Sequence, residues 1–343
     1  MRKLVACFLC VIVLLAQSSP SHAFRNGFEM AFESQEALLE WLYTYRKKPS
    51  SYRLPAAVHA MKRFGLLRDS EKADFFVGFI AGVLSKNPRD AYKLATRMFP
   101  MPPKEQAVII RAVAYSGLPD WPEILEKLAP RMPHRQALLE SHVMGEEPTL
   151  MDVPLESGPA VIYALWGFYV ATGDYAPVGR IIRALRWAKG SVDKQESAFM
   201  RRVRAAFTWS DGDDDVNKAT IGGTAKWTLV SHAERDRELI DVYRVQVTFQ
   251  DAVVAQRLRE VIEASEKFES ERIRKEELAA IERIRRANPE GAGFNRATSL
   301  GSVAIATGCV AASAAGMAQI GVPCIVSGAV YSGFVKLLRQ AGP

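Results

Sequence analysis

From Leu54 to Met132 proline and glycine interrupt the chain at short intervals, and each interval carries apolar residues at helical spacing. "LPAAVHAMKRFGLL" reads as one helix, and "SEKADFFVGFIAGVLSKN" as a second, capped by Ser70 and stopped before Pro88. "PRDAYKLATRMF" places Pro88 in the first turn of a third helix. "PPKEQAVIIRAVAYSG" runs from Pro102-Pro103 to Gly117, and "PDWPEILEKLAPRM" follows it. Proline suits a first helical turn, where its missing N–H has no intrahelical partner to lose. An earlier helix, "FESQEALLEWLYTYRKK", starts at Ser34 and repeats Leu38, Leu39, Trp41, Leu42 and Tyr45 on one face. Short helices joined by tight breaks must fold back on one another, which predicts stacked antiparallel helix pairs.

A further pair lies after a looser stretch, "GEEPTLMDVPLESG". "PAVIYALWGFYVATGDYAPVGRIIRALRWAKG" reads as helix, turn, helix. Ala164, Gly167, Tyr169 and Ala171 stand on the first helix, Gly173-Asp174 make the turn, and Pro177 opens the second. This stretch resembles one tetratricopeptide-like helical hairpin by shape, without the fixed 34-residue period of that repeat. The chain as a whole resembles uncharacterised exported proteins of proteobacteria, which implies an address and no activity.

"WSDGDDDVNKATIGG" reads as a polar break, after which "TAKWTLVSHAERDRELIDVYRVQ" resumes a helical pattern. "VYRVQVTF" alternates like a strand, but no partner strand with a hairpin signal accompanies it, so it is placed in a helix. Gln246 to Arg286 reads as one long charged helix. Its seam is Val247, Val254, Leu258, Val261, Ser265 and Phe268, then, after a slip, Ile273, Leu278, Ile281 and Ile284. Glu271 with Lys275, and Glu282 with Arg286, are favourable pairs on its outer face. The seam suits packing on neighbouring helices, and a coiled coil between two chains is the alternative.

The two ends differ from this body. Arg2 and Lys3, then "LVACFLCVIVLLA" and "SSPSHA", form a secretory signal with cleavage expected after Ala23. Near the other end, Gly301 to Val335 contains no charged residue. Ala304, Gly308, Ala312 and Gly316 follow at steps of four, and Gly328 and Ser332 repeat the step beyond a turn at Gly321–Pro323. Such small-residue faces let helices approach closely, in a membrane or within a fold, so a helical hairpin that packs or inserts is expected. The two cysteines left after the signal, Cys309 and Cys324, lie about 15 Å apart along such a hairpin if the turn is real. That separation argues against a disulfide between them.

Of 343 residues, 48% are hydrophobic and 24% charged, which describes a folded globular chain. The formal charge of +7 falls to +5 once Arg2 and Lys3 leave with the signal. Nucleic acid is excluded as a partner of an exported chain with so modest an excess, whereas an anionic membrane surface fits.

No catalytic constellation stands out. Asp211, Asp213 and Asp215 open like a calcium loop, but Val216 and Gly222 occupy the places of its glycine and bidentate glutamate, so a solvated acidic loop is expected. His59, His134, His142 and His232 form no metal-ligand spacing, and Glu146-Glu147 are adjacent rather than opposed across a gap. Trp41, Trp121, Trp166, Trp187, Trp209 and Trp227 are spread one per helical unit, as core anchors would be.

The expected fold is therefore all-α: stacked antiparallel helix pairs of TPR-like or α-solenoid type, a long charged helix and a C-terminal apolar helical hairpin. Its parts are a signal at 1–23, a helical-repeat-like body at 24–207, a long-helix region at 208–289 and a small-residue-rich segment at 290–343. The expected role is a non-enzymatic scaffold for protein contacts, periplasmic or at the periplasmic face of the inner membrane, without a cofactor, metal or catalytic residue. Pairing of two copies through residues 246–335 is a further expectation. An envelope enzyme with a site assembled from distant loops, and a self-associating membrane-inserting protein, are the alternatives.

Overall fold

A computed structural model describes residues 32–68, 73–135, 138, 149–189 and 212–287. Among them are twelve α-helices and no strand, so the described part of the chain is all-α. They are α1 (Gln35–Thr44), α2 (Leu54–Arg63), α3 (Asp74–Ser85), α4 (Ala91–Thr96), α5 (Pro103–Ala114) and α6 (Trp121–Leu128). Then come α7 (Pro159–Thr172), α8 (Ala176–Ala184), α9 (Gly212–Ala233), α10 (Glu238–Val247), α11 (Ala252–Glu266) and α12 (Ser270–Ala287). The signal region, the cysteines, His142, Glu146-Glu147, Trp209, Asp211 and the whole uncharged run lie outside the described residues.

The centre of the fold is the crossing of α3 and α7. Every residue of α3 from Asp74 to Leu84 is buried, and so is α7 from Ala164 to Ala171. A helix that is apolar on all sides belongs in a core, and the close approach depends on small residues. A Cβ on Gly78 would stand 1.8 Å from the Ala164 carbonyl oxygen, and one on Gly82 would stand 2.8 Å from the Ala171 methyl. Trp41 of α1 and Tyr45, which caps its C-terminus, meet Phe79 edge-on, at 5.5 and 5.3 Å between centroids. On another side Asp74, 1% exposed, accepts from Arg111 of α5 at 2.6 Å. One continuous cluster of buried apolar side chains takes in Leu38, Phe79, Ile110, Leu165, Ile221, Leu258 and Ile273.

The expected helix–turn–helix at 159–184 is present. Gly173 ends α7 in the left-handed region, at φ +70°, where glycine carries no Cβ penalty. The expected helix from Pro88 is shorter than its pattern, with a 3₁₀ turn at Pro88–Asp90 leading into α4. Trp41, Trp166 and Trp227 are buried, and Trp121 and Trp187 pack partly buried against the same core.

Two expectations fail. From Gly212 onward the stretch read as a polar break is the beginning of α9, so Asp215 stands exposed on a helix rather than in an acidic loop. Gly222 and Gly223, read as loop glycines, sit inside that helix. A Cβ on Gly222 would meet the Ala188 nitrogen at 2.2 Å, so glycine is there for a close backbone approach and not for a turn.

The single long helix from Gln246 is also wrong: α10, α11 and α12 divide the region. Asp251 breaks it first, capping α11 by accepting from Val254 N–H at 3.0 Å. Phe268, at φ +57°, breaks it again, with Glu269 N–H closing onto the Ala264 carbonyl at 2.9 Å. The slip in the seam is thus a turn. Val254, Leu258, Val261 and Ser265 remain buried on α11, Ile273 and Ile281 on α12, and Phe268 is exposed. Glu282 pairs with Arg286 as expected, whereas Glu271 pairs with Arg274 instead of Lys275.

Candidate functional site

A cleft of about 1010 Å³ is walled by α11 and α12 and floored by α9 and the 3₁₀ turn Leu185–Trp187. Three local devices set its shape. Gly222 brings α9 onto the backbone of that turn. Gly223 admits α12, since a Cβ there would lie 3.2 Å from the Glu277 Cβ. Glu234, buried at the end of α9, accepts from both the N–H and the hydroxyl of Ser270 at 2.8 Å, fixing where α12 begins. Helix α11 runs alongside α9 in the same direction, with Glu260 beside Lys226 and Ser265 beside Val230, and α12 runs back.

At the floor is Lys226, 4% exposed. Its ammonium donates to Glu260 at 3.0 Å and to the Lys189 carbonyl at 2.8 Å, and lies 3.4 Å from Glu277. Burial pushes the Glu277 carboxyl above its ordinary value, and the Lys226 charge opposes that rise. A buried ammonium with three acceptors, two of them carboxylates, is satisfied within the protein, so the Lys226–Glu260–Glu277 triad holds the floor together. Arg257 adds a tie, donating to the Leu185 carbonyl at 2.9 Å.

The walls are charged in both signs and exposed. Lys267 pairs with Glu263 at 2.5 Å along α11, and Arg272 reaches Glu269 and Glu276 at 2.5 and 3.0 Å. Lys275 and Arg283 stand on the α12 wall. Exposed pairs of this kind contribute little to folding and are readily exchanged for a partner's charges. Small-molecule sites enclose their ligand with only a few polar groups, whereas Glu263, Lys267, Arg272, Lys275 and Arg283 all line this cleft.

Two other clusters of titratable groups serve packing. His232 stacks on Trp166 with 4.1 Å between ring centroids and faces Tyr43 at 6.1 Å. Burial, with Arg235 adding to it, holds its imidazole well below the usual range and therefore neutral. Close by, Arg46 donates to the Tyr169 hydroxyl at 2.6 Å and pairs with Asp236, joining α1 and α7 to the start of α10. Tyr163 of α7 is pushed up to about 12 by burial, against its hydrogen bond with Thr224 of α9. His59 contacts the Arg97 carbonyl at 3.2 Å, and His134 is exposed in a 3₁₀ turn.

Of the residues singled out by the sequence, Ala304, Gly308, Ala312, Gly316, Gly328, Ser332 and the Ala23 cleavage position all lie outside the described residues. Lys226, Glu260 and Glu277 were not anticipated. The available signal was one lysine inside the apolar run "TAKWTLV", which a buried helix face tolerates only with acidic partners. Among the described residues, no group of three or more His, Cys, Asp and Glu is placed to hold a metal. None of the described helices is long and apolar enough to cross a membrane. Comparison of the chain with protein-family models, curated proteins and solved structures gave no match.

Proposed function

We propose that the protein is an exported, non-enzymatic helical scaffold of the cell envelope, and that the cleft between α11 and α12 receives a segment of a protein partner. The cleft carries the reading: its floor is internally neutralised by Lys226, while its walls present exposed charges of both signs. Stacked antiparallel helix pairs of the TPR-like kind, with α7 and α8 as the clearest pair, suit such a role because they build concave surfaces. The N-terminal signal supports export, and the uncharged run 301–335 supports attachment to the inner membrane.

The test is charge reversal on the walls, with Glu263→Lys and Lys275→Glu introduced separately into the full chain. Each is expected to leave the helical circular dichroism unchanged and to weaken co-isolation of one envelope partner, more strongly at low salt. Unchanged recovery of every co-isolated protein with both variants contradicts the reading.

A further inference from the structure

Seven large apolar side chains stand exposed among the described residues, and three of them fall close in sequence at one turn: Val245, Phe249 and Val253, 59%, 75% and 52% exposed. They follow at four-residue steps across the turn from α10 to α11. The turn is held firmly. Thr248 and Phe249 N–H donate to the carbonyls of Val245 and Gln246 at 3.2 and 3.1 Å, and Asp251 caps α11. Phe249 is thus presented on a fixed tip. From Val245 to Gln256 the only charged residue is Asp251, whose carboxylate is occupied by Val254 N–H. An uncharged knob of this kind offers nothing to an acidic or basic partner and suits an apolar phase.

Its position matters as much as its composition. Ser270 bonds to Glu234 and Ile281 packs with Ala219, so α12 runs antiparallel to α9, while α11 runs parallel to it. The start of α11 and the end of α12 therefore point to the same end of the bundle. The chain leaves α12 at Ala287, and its charge-free stretch begins at Ala297, directly after Arg296. The connection from Asn288 to Arg296 spans at most about 30 Å when extended.

We propose that the α10–α11 tip is a lipid-contacting surface, with Phe249 entering the interfacial layer of the bilayer to which residues 297–335 attach the chain. The inference rests on that attachment, which forms part of the proposed function. Three side chains are too few to hold a protein on a membrane alone, and tethering supplies the local concentration that makes the contact persist.

The experiment uses the mature full-length protein with Cys309→Ser and Cys324→Ser. A single cysteine replaces Phe249, or Tyr92 on α4 as control, and carries an environment-sensitive fluorophore. Vesicles of phosphatidylethanolamine and phosphatidylglycerol, with and without bilayer-embedded quencher lipids, are then added. The label at 249 is expected to shift to the blue and be quenched by those lipids, and the label at 92 to change in neither respect. A label at 249 that stays in water while the protein sediments with the vesicles overturns the tip and leaves the attachment standing. Protein that does not sediment removes the attachment and the tip with it. A label at 249 already shielded before vesicles are added also overturns the proposal. It assigns the knob to the chain's own C-terminal segment if the shielding is independent of concentration, or to a second copy if it grows with concentration.

Discussion

Gly167 of α7 rests on the backbone of Phe75 in α3: a Cβ built on it would lie 2.0 Å from the Phe75 carbonyl oxygen. Backbone cannot step aside as a flexible side chain can, so the two helices would have to separate. Gly167→Ala is expected to destabilise the fold by about 3 kcal/mol, at the upper end of overpacking costs. Gly179 in α8 has nothing within 4 Å of its would-be Cβ, and Gly179→Ala should stabilise by about 0.5 kcal/mol through helix propensity. Urea unfolding of the two variants beside the parent checks both signs at once.

His232 makes the fold sensitive to acid. Its folded pKa is lowered by burial and by Arg235, so below its ordinary value of 6.5 the unfolded chain binds a proton that the folded chain refuses. Stability from this group is therefore full above about pH 6.5 and falls as the pH drops below it. Glu234 and Glu277, raised by burial, contribute the opposite slope at lower pH. For this reason the variant and parent are compared at each pH. The stability gap between parent and His232→Gln should narrow from pH 7 to pH 5 in denaturant titrations.

Asp74 and Arg111 tie α3 to α5 across a buried contact. Arg111→Leu leaves a carboxylate that is 1% exposed without its guanidinium, and should cost about 3 kcal/mol. Adding Asp74→Asn removes the stranded charge and should recover part of that loss. A double-mutant cycle measured by thermal unfolding gives the coupling directly.

The beginning of α12 depends on another helix. Glu234→Ala removes the acceptor of two Ser270 donors and should fray the first turn of α12, costing about 1–2 kcal/mol. Amide exchange at residues 270–273 should quicken by about tenfold or more, with little change at the α3–α7 crossing. Uniform quickening across the protein would instead mean that α12 opens only with the whole fold.

The helical class was legible because proline, glycine and apolar spacing act locally, and the 159–184 hairpin followed from its own turn residues. The two misreadings share a cause. Gly222 and Gly223 look like loop residues until Trp187, Ala188 and Glu277 press against them, and those neighbours are distant in sequence. Asp251 and Phe268 look like members of a long helix because the buried seam continues across the turns they make. The pairing of α3 with α7 rests on Gly78, Gly82 and Gly167, whose spacing is visible but whose partners are not. For the same reason the lysine in "TAKWTLV" went unread as a buried charge, since its acceptors Glu260 and Glu277 lie far along the chain.

Site-specific photo-crosslinking in intact cells tests the role of the cleft most directly. A photoreactive residue is placed at Glu263 on the α11 wall, at Lys275 on the α12 wall, and at Tyr92 outside the cleft. Both wall positions are expected to trap the same discrete protein adduct, absent from position 92 and lost when Arg283→Glu is added. No adduct from either wall, or equal adducts from all three positions, would contradict a cleft built to hold a partner.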